Sequence, residues 1–249
     1  MTLPARLVDC LKTRQGLKII AGLQNFSPER VEKVCRAAVG GGADLVDIAA
    51  DPNLVRLARS CGVNTICVSA VEPERFAGVV AAGADMVEIG NFDSFYRQGR
   101  HFSGEEVLEL TRRSRALLEE DVPLSVTIPH SLSLLEQERL AEQVVAAGAD
   151  LIQTEGGSQI QPETGGIRGL IEKAVPTMAS AYAISRAVSV PVICASGLSA
   201  VTAPMAMAAG AAAIGVGRAV NGLEDQVAMV AQVRNLRQAI STGACLWAK

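Results

Sequence analysis

One eight-residue pattern occurs four times in this chain. It reads Gly-Gly-Ala-Asp-Leu-Val-Asp-Ile from Gly41, Ala-Gly-Ala-Asp-Met-Val-Glu-Ile from Ala82, Ala-Gly-Ala-Asp-Leu-Ile-Gln-Thr from Ala147 and Ala-Gly-Ala-Ala-Ala-Ile-Gly-Val from Ala209. Each copy describes a helix that ends, turns on a glycine and feeds a buried strand. Apolar runs at Leu17 to Ala21, Thr65 to Ser69, Leu124 to Ile128 and Val192 to Ser196 alternate with these copies, and the last two follow a proline. Eight short strands separated by amphipathic stretches require parallel crossovers. A βαβα quarter repeated four times closes most naturally into a (β/α)8 barrel with a parallel eight-stranded core, a TIM barrel.

The 249 residues, 49 % of them apolar, match one such barrel, so residues 1–249 are expected to form a single domain. A net charge of −3 without a basic stripe argues against a nucleic-acid surface. The uncharged stretch Ala187 to Gly217 exceeds a membrane span in length, but Pro191, Gly197, Pro204 and Gly210 divide it into strand, helix and strand. No membrane segment is therefore expected. The first sixteen residues lack the apolar core of a secretory leader. Cysteines 10, 35, 61, 67, 194 and 245 have no metal-ligand spacing and read as reduced packing residues, so no metal is expected.

Helices are expected over Pro28 to Val39, Pro52 to Ser60, Pro73 to Ala82, Gly104 to Glu119 and Ser133 to Ala147. Two connections, Asn91 to Ser103 and Gly156 to Pro176, exceed what a barrel needs and are candidate lids or binding loops. Alternate strand residues face the barrel interior. Aligning the repeats sends Asp47, Glu88, Gln153 and Gly215 inward, and the other series adds Lys18 and Ser125. Lys18, Asp47 and Glu88 are candidates for acid–base or imine chemistry, and the same residues would equally serve as a buried ion network.

The loops after strands seven and eight read as a phosphate cradle: Ser196, Gly197 and Ser199 in one, Gly215, Gly217 and Arg218 in the other. Glycines there let backbone N–H groups approach an anion, and Arg218 can add a charged bond. Gly156 and Gly157 form a further hinged site beside Glu155, a candidate general base. His130 follows strand five and is either an acid–base group or a cap for the next helix. Asp51, Glu72, Asn91 and Asp93 complete a polar rim.

Four strings carry a family resemblance: Val68-Ser69-Ala70-Val71-Glu72-Pro73-Glu74, Glu88-Ile89-Gly90-Asn91-Phe92-Asp93-Ser94-Phe95-Tyr96, Gln153-Thr154-Glu155-Gly156-Gly157, and the run from Cys194 to Pro204. Through them the chain, from about Leu17 to Arg234, resembles the hypothetical chloroplast reading frame twenty-three family of algal plastids and cyanobacteria. The resemblance implies an aldolase-type barrel and a cyanobacterial cytoplasm or a plastid stroma, and it transfers no catalytic residues. The function expected is binding of a phosphorylated small molecule, with lyase- or isomerase-like chemistry. The alternatives are an oxidoreductase holding flavin mononucleotide (FMN) at the same phosphate site, and a ligand-sensing or interaction protein without turnover.

Overall fold

Eight parallel strands pair in sequence order and close on themselves: β1 (Gly16–Ile20), β2 (Leu45–Ala49), β3 (Ile66–Ala70), β4 (Met86–Ile89), β5 (Leu124–Ile128), β6 (Leu151–Thr154), β7 (Val192–Ala195) and β8 (Ala213–Val216). The computed structural model describes residues 5–157 and 161–247, with backbone alone for Arg6 and 243–247. Positions 158–160 of the loop after β6 and Cys245's side chain therefore lie outside the described residues. Cys35, Cys61, Cys67 and Cys194 are free thiols. No helix among the described residues is long and apolar enough to cross a membrane.

The fourfold pattern has a physical use at the lower rim of the barrel. Its glycines, Gly42, Gly83, Gly148 and Gly210, all take left-handed φ values of 82°, 104°, 101° and 112°, which end one helix and aim the chain at the next strand. The aspartates of the first three copies then reach sideways. Asp44 accepts the N–H of Leu17 at 2.8 Å, Asp85 that of Ile66 at 2.7 Å and Asp150 that of Leu124 at 2.9 Å, so each copy satisfies a donor at the start of a neighbouring strand. Arg237, Arg59 and Arg115 pair with these three carboxylates. These residues fix the register of the fold at the end of the barrel opposite the C-terminal ends of the strands.

Two separate apolar layers follow from strand alternation. Outward residues such as Val46, Ile48, Val87, Ile89 and Ile152 pack against the helices in one large core. Inward residues Leu45, Cys67, Met86, Leu151, Ile193 and Ala213 form a second cluster that fills the lower barrel, and Leu7 and Leu11 from the helix Ala5–Lys12 plug it from below. The upper end is left for polar residues.

The expected helices are present as Pro28–Gly41, Pro52–Ser60, Gly104–Leu117 and Leu134–Ala146, with a short 3-10 turn Pro73–Arg75 leading into Phe76–Ala81. Ser27 and Asp51 cap the first two, whereas Glu72 makes no capping bond. Ser133 caps Leu134–Ala146 in a reciprocal arrangement with Glu136, so His130 is not the cap. The long connection after β6 is shorter than Gly156 to Pro176, because a helix runs from Gly166 to Ala187 with Pro176 inside it. Proline removes one helical hydrogen bond. Here the turns before it are braced by Glu172, which accepts from Thr164 and Arg168 at 2.9 Å each, and Thr177 just after it bonds to the Ala195 carbonyl at 2.5 Å.

Candidate functional site

A cleft of about 1500 Å³ opens at the C-terminal ends of the strands. Its floor is made by Ile20, Gln153, Ala195 and Gly215, and small residues at the last two positions keep it deep. A Cβ at Gly215 would approach that of Ala195 to 2.8 Å and Gln153 Oε1 to 3.4 Å. The loops after β1, β4, β6, β7 and β8 contribute the walls.

Directly beneath this floor lies the charged centre of the barrel. Lys18 Nζ donates to Glu88 Oε2 at 2.7 Å and to Gln153 Oε1 at 2.9 Å, and lies 3.6 Å from Asp47 Oδ2. Ser125 donates to Glu88 at 2.8 Å, Gln153 Nε2 to its other oxygen at 2.7 Å, and Ser69 to Asp47 at 2.5 Å. Lys18, Asp47 and Glu88 are all 0 % exposed. Burial opposes the lysine's charge, but Asp47 and Glu88 outweigh it and hold the ammonium above its ordinary range. Glu88 is the nearer carboxylate. Asp47, farther from the ammonium and with Oδ2 lacking a hydrogen-bond donor, is pushed up by burial to about 6.

This shift makes a pH prediction. The folded protein holds the Asp47 proton more tightly than the unfolded chain, whose aspartates ionise at the ordinary lower value, so stability falls as pH rises from about 4 through about 6. Relative to Asp47→Asn, wild type should lose on the order of 2 kcal/mol between pH 4 and pH 7 in urea unfolding. Parallel stability profiles for the two proteins would show that Asp47 does not titrate in this range.

On the opposite side of Gln153 the chain builds a second cluster, whose Glu155 lines the cleft. Glu155, at the end of β6, accepts the Phe92 N–H at 2.8 Å and the Tyr96 hydroxyl at 3.0 Å, with His130 Nδ1 at 3.4 Å. Burial raises the Glu155 carboxyl, with Asp93 adding to the effect, and the bond to Glu155 raises His130. Tyr96 packs edge-on to His130 at 4.8 Å and stacks on His101 at 5.4 Å. The β4 loop is thereby fastened over the barrel mouth, and its tip reaches the β1 loop through a 3.0 Å bond from Gln98 to Gln24.

The third group is the pair of loops after β7 and β8. Ser196 has φ 79°, a left-handed conformation unusual for a residue with a side chain, and its hydroxyl has no partner among the described residues. Gly197 follows with φ 71°, and a Cβ there would strike the Lys173 carbonyl at 2.6 Å. The β7 loop therefore lies tight against the helix Gly166–Ala187 and brings Lys173 to the cleft wall beside Ser199, Gly217 and Arg218. Ser199 is partly committed, its N–H bonding Thr202 at 2.9 Å. Neither Lys173 nor Arg218 has an ion-pair partner among the described residues.

Of the sequence-predicted residues, Glu155, Ser196, Gly197, Ser199, Gly215, Gly217 and Arg218 line one cleft. Lys18, Asp47 and Glu88 lie under its floor, and His130 stands behind Glu155. Gly156 and Gly157 do not line the cleft. A Cβ at Gly156 would come within 3.1 Å of Thr177 and 3.6 Å of Ser196, so this glycine lets β6 pack closely against the neighbouring helix and loop. Lys173, Tyr96 and Asn91 complete the site. Lys173 escaped notice because Pro176 disguised its helix, and Tyr96 because its partner is 59 residues away.

A family profile described as "Protein of unknown function (DUF561)" matches residues 3–245. The "Uncharacterized protein ycf23" of Cyanophora paradoxa is 44 % identical over 239 residues, 95 % of this chain and 96 % of that one. Among solved structures, the thiamine phosphate pyrophosphorylase of Pyrococcus furiosus superimposes with a TM-score of 0.59 at 19 % identity, over 94 % of this chain and 98 % of the other. The (S)-3-O-geranylgeranylglyceryl phosphate synthase of Thermoplasma acidophilum, solved with its substrate sn-glycerol-1-phosphate, gives 0.63 at 15 % identity over 97 % and 100 %. At such identities these structures show a shared fold.

Proposed function

The chain belongs to the family described as protein of unknown function DUF561, and we propose that its barrel is an enzyme that anchors a phosphorylated small molecule on the β7 and β8 loops and moves a proton with Glu155. The observation that supports this reading is the meeting, in one cleft, of the glycine-bearing β7 and β8 loops, the side chains of Lys173 and Arg218, and the buried carboxyl of Glu155. Gly197 and Gly217 give backbone N–H groups an unobstructed approach to phosphate, Ser196 offers a free hydroxyl, and Lys173 and Arg218 supply charge. Both aligned solved proteins carry phosphate chemistry in their names, and one was solved with a phosphomonoester substrate.

Glu155 suits proton transfer because burial brings its carboxyl closer to neutrality, where an acid–base group works best. His130 behind it is the natural group to share that proton. Using Lys18 as an imine former, or Asp47 or Glu88 as the base, requires the floor to open and, for Lys18, the loss of a proton held by two carboxylates. Glu155 and His130 need neither step. These features favour lyase- or isomerase-like chemistry, in a cyanobacterial cytoplasm or plastid stroma.

The test is mass spectrometry of small molecules released when freshly purified protein is denatured. An organic phosphate is the expected result. Release of FMN would replace side-chain acid–base chemistry with that of the cofactor, and absence of any phosphorylated molecule, together with no phosphate binding by calorimetry, would sink the proposal.

A further inference from the structure

The β4 loop holds two polar atoms that no described residue satisfies. Asn91 Nδ2 and Ser94 Oγ are both buried without a hydrogen-bond partner, and both residues line the cleft. Such atoms are expensive to leave without a partner. Their positions are also held firmly. Asn91 sits at φ 66°, its N–H reaches Thr127 Oγ1 at 3.3 Å, and the next N–H, that of Phe92, is bonded to Glu155. Phe92 stacks on Phe102 at 4.3 Å, locking the loop from behind. Two donors in a rigid, strained segment are a preorganised site whose partner comes from outside the protein.

We propose that Asn91 and Ser94 form a second ligand subsite that takes the carbonyl oxygen of an open-chain phosphate ester whose phosphate lies on the β7 and β8 loops. The inference rests on the phosphate reading above and specifies its substrate class. In a closed barrel of eight strands in sequence order, β4 is diametrically opposite β8. With strands about 4.8 Å apart and tilted about 36°, the ring is roughly 15 Å across, and a side chain and a hydrogen bond at each end leave room for a chain of about five carbons. The recognised group is neutral, because Asp93 and Glu155 stand in the same wall and would repel a second anion. The bond from Phe92 to Glu155 sets this carbonyl beside the proposed proton carrier, which is where a carbonyl must lie if the proton removed is on its neighbouring carbon.

Calorimetry on the intact protein with three probes tests this subsite. Ribulose 5-phosphate cannot close into a ring through its esterified terminal oxygen and so presents a free carbonyl. Ribitol 5-phosphate is the same chain with that carbonyl reduced, and inorganic phosphate reports the cradle alone. Wild type should prefer the ketose by about tenfold, the worth of well-placed hydrogen bonds. Asn91→Gly, which adopts the left-handed backbone and adds no charge, and Ser94→Ala should each reduce that preference to below about threefold while leaving inorganic phosphate binding unchanged. An unchanged preference in both variants, or none in wild type, overturns the subsite and leaves the cradle intact. Failure of all three probes to bind wild type overturns the cradle, and the subsite with it.

Discussion

Lys18→Met should destabilise the fold by about 3–5 kcal/mol, the usual consequence of removing one partner from a buried ion pair. Methionine occupies nearly the same volume, so packing is preserved and the loss is electrostatic. Without the ammonium, Glu88 and Asp47 are two carboxylates confined in a space sealed from water, each already bonded to serine or glutamine donors that cannot neutralise them. Protonation is their only relief. The deficit of the variant against wild type should therefore be smaller at pH 5 than at pH 8. Adding Glu88→Gln and Asp47→Asn should recover most of the stability, because a neutral hydrogen-bonded layer carries no uncompensated charge. Urea unfolding at the two pH values measures all of this. A deficit below about 1 kcal/mol at pH 8 would mean that the layer tolerates unpaired carboxylates, and its role as the rigid floor of the cleft would be lost.

That layer was legible in the sequence because it depends only on the two-residue period of a strand and the four-fold repeat. Asp47, Glu88 and Gln153 occupy the same place in successive copies, so one decision about direction set all three, and Lys18 and Ser125 followed from the alternate strands. The placement of the two loops proposed to hold phosphate was legible for a similar reason, since they directly follow strands whose ends the repeat defines. What could not be seen locally were pairings between loops. Glu155 was visible as a carboxylate after β6, but its hold on Phe92 and Tyr96 exists only once the closed barrel brings the ends of β4 and β6 together. Lys173 was obscured by Pro176, because local rules break a helix at proline, whereas here contacts from Thr177 to β7 hold the helix together across it. The plug of Leu7 and Leu11 could not be read locally, since nothing in their spacing says which surface they meet.

Gly217→Leu should lower phosphate affinity by at least about 100-fold, the loss of two or more charge-assisted bonds, with little change in stability. Gly217 separates binding from folding as few positions here do. Its φ is −105°, outside the left-handed region, and a Cβ built on it meets nothing closer than 3.7 Å, where Asn221 Nδ2 and Ile20 lie. The fold thus accepts a side chain, and the only room for one is the cleft itself. A leucine there covers the backbone N–H groups of the β8 loop and occupies the volume the phosphate needs. Gly197 offers no such distinction: at φ 71°, with a Cβ 2.6 Å from the Lys173 carbonyl, Gly197→Ala strains the backbone and dislodges the helix that presents Lys173. It should lose stability and binding together. Calorimetry with inorganic phosphate, paired with urea unfolding, distinguishes these two patterns. Phosphate binding undiminished in Gly217→Leu would move the anion site away from β8, and the glycine after that strand would be left with only its turn to explain it.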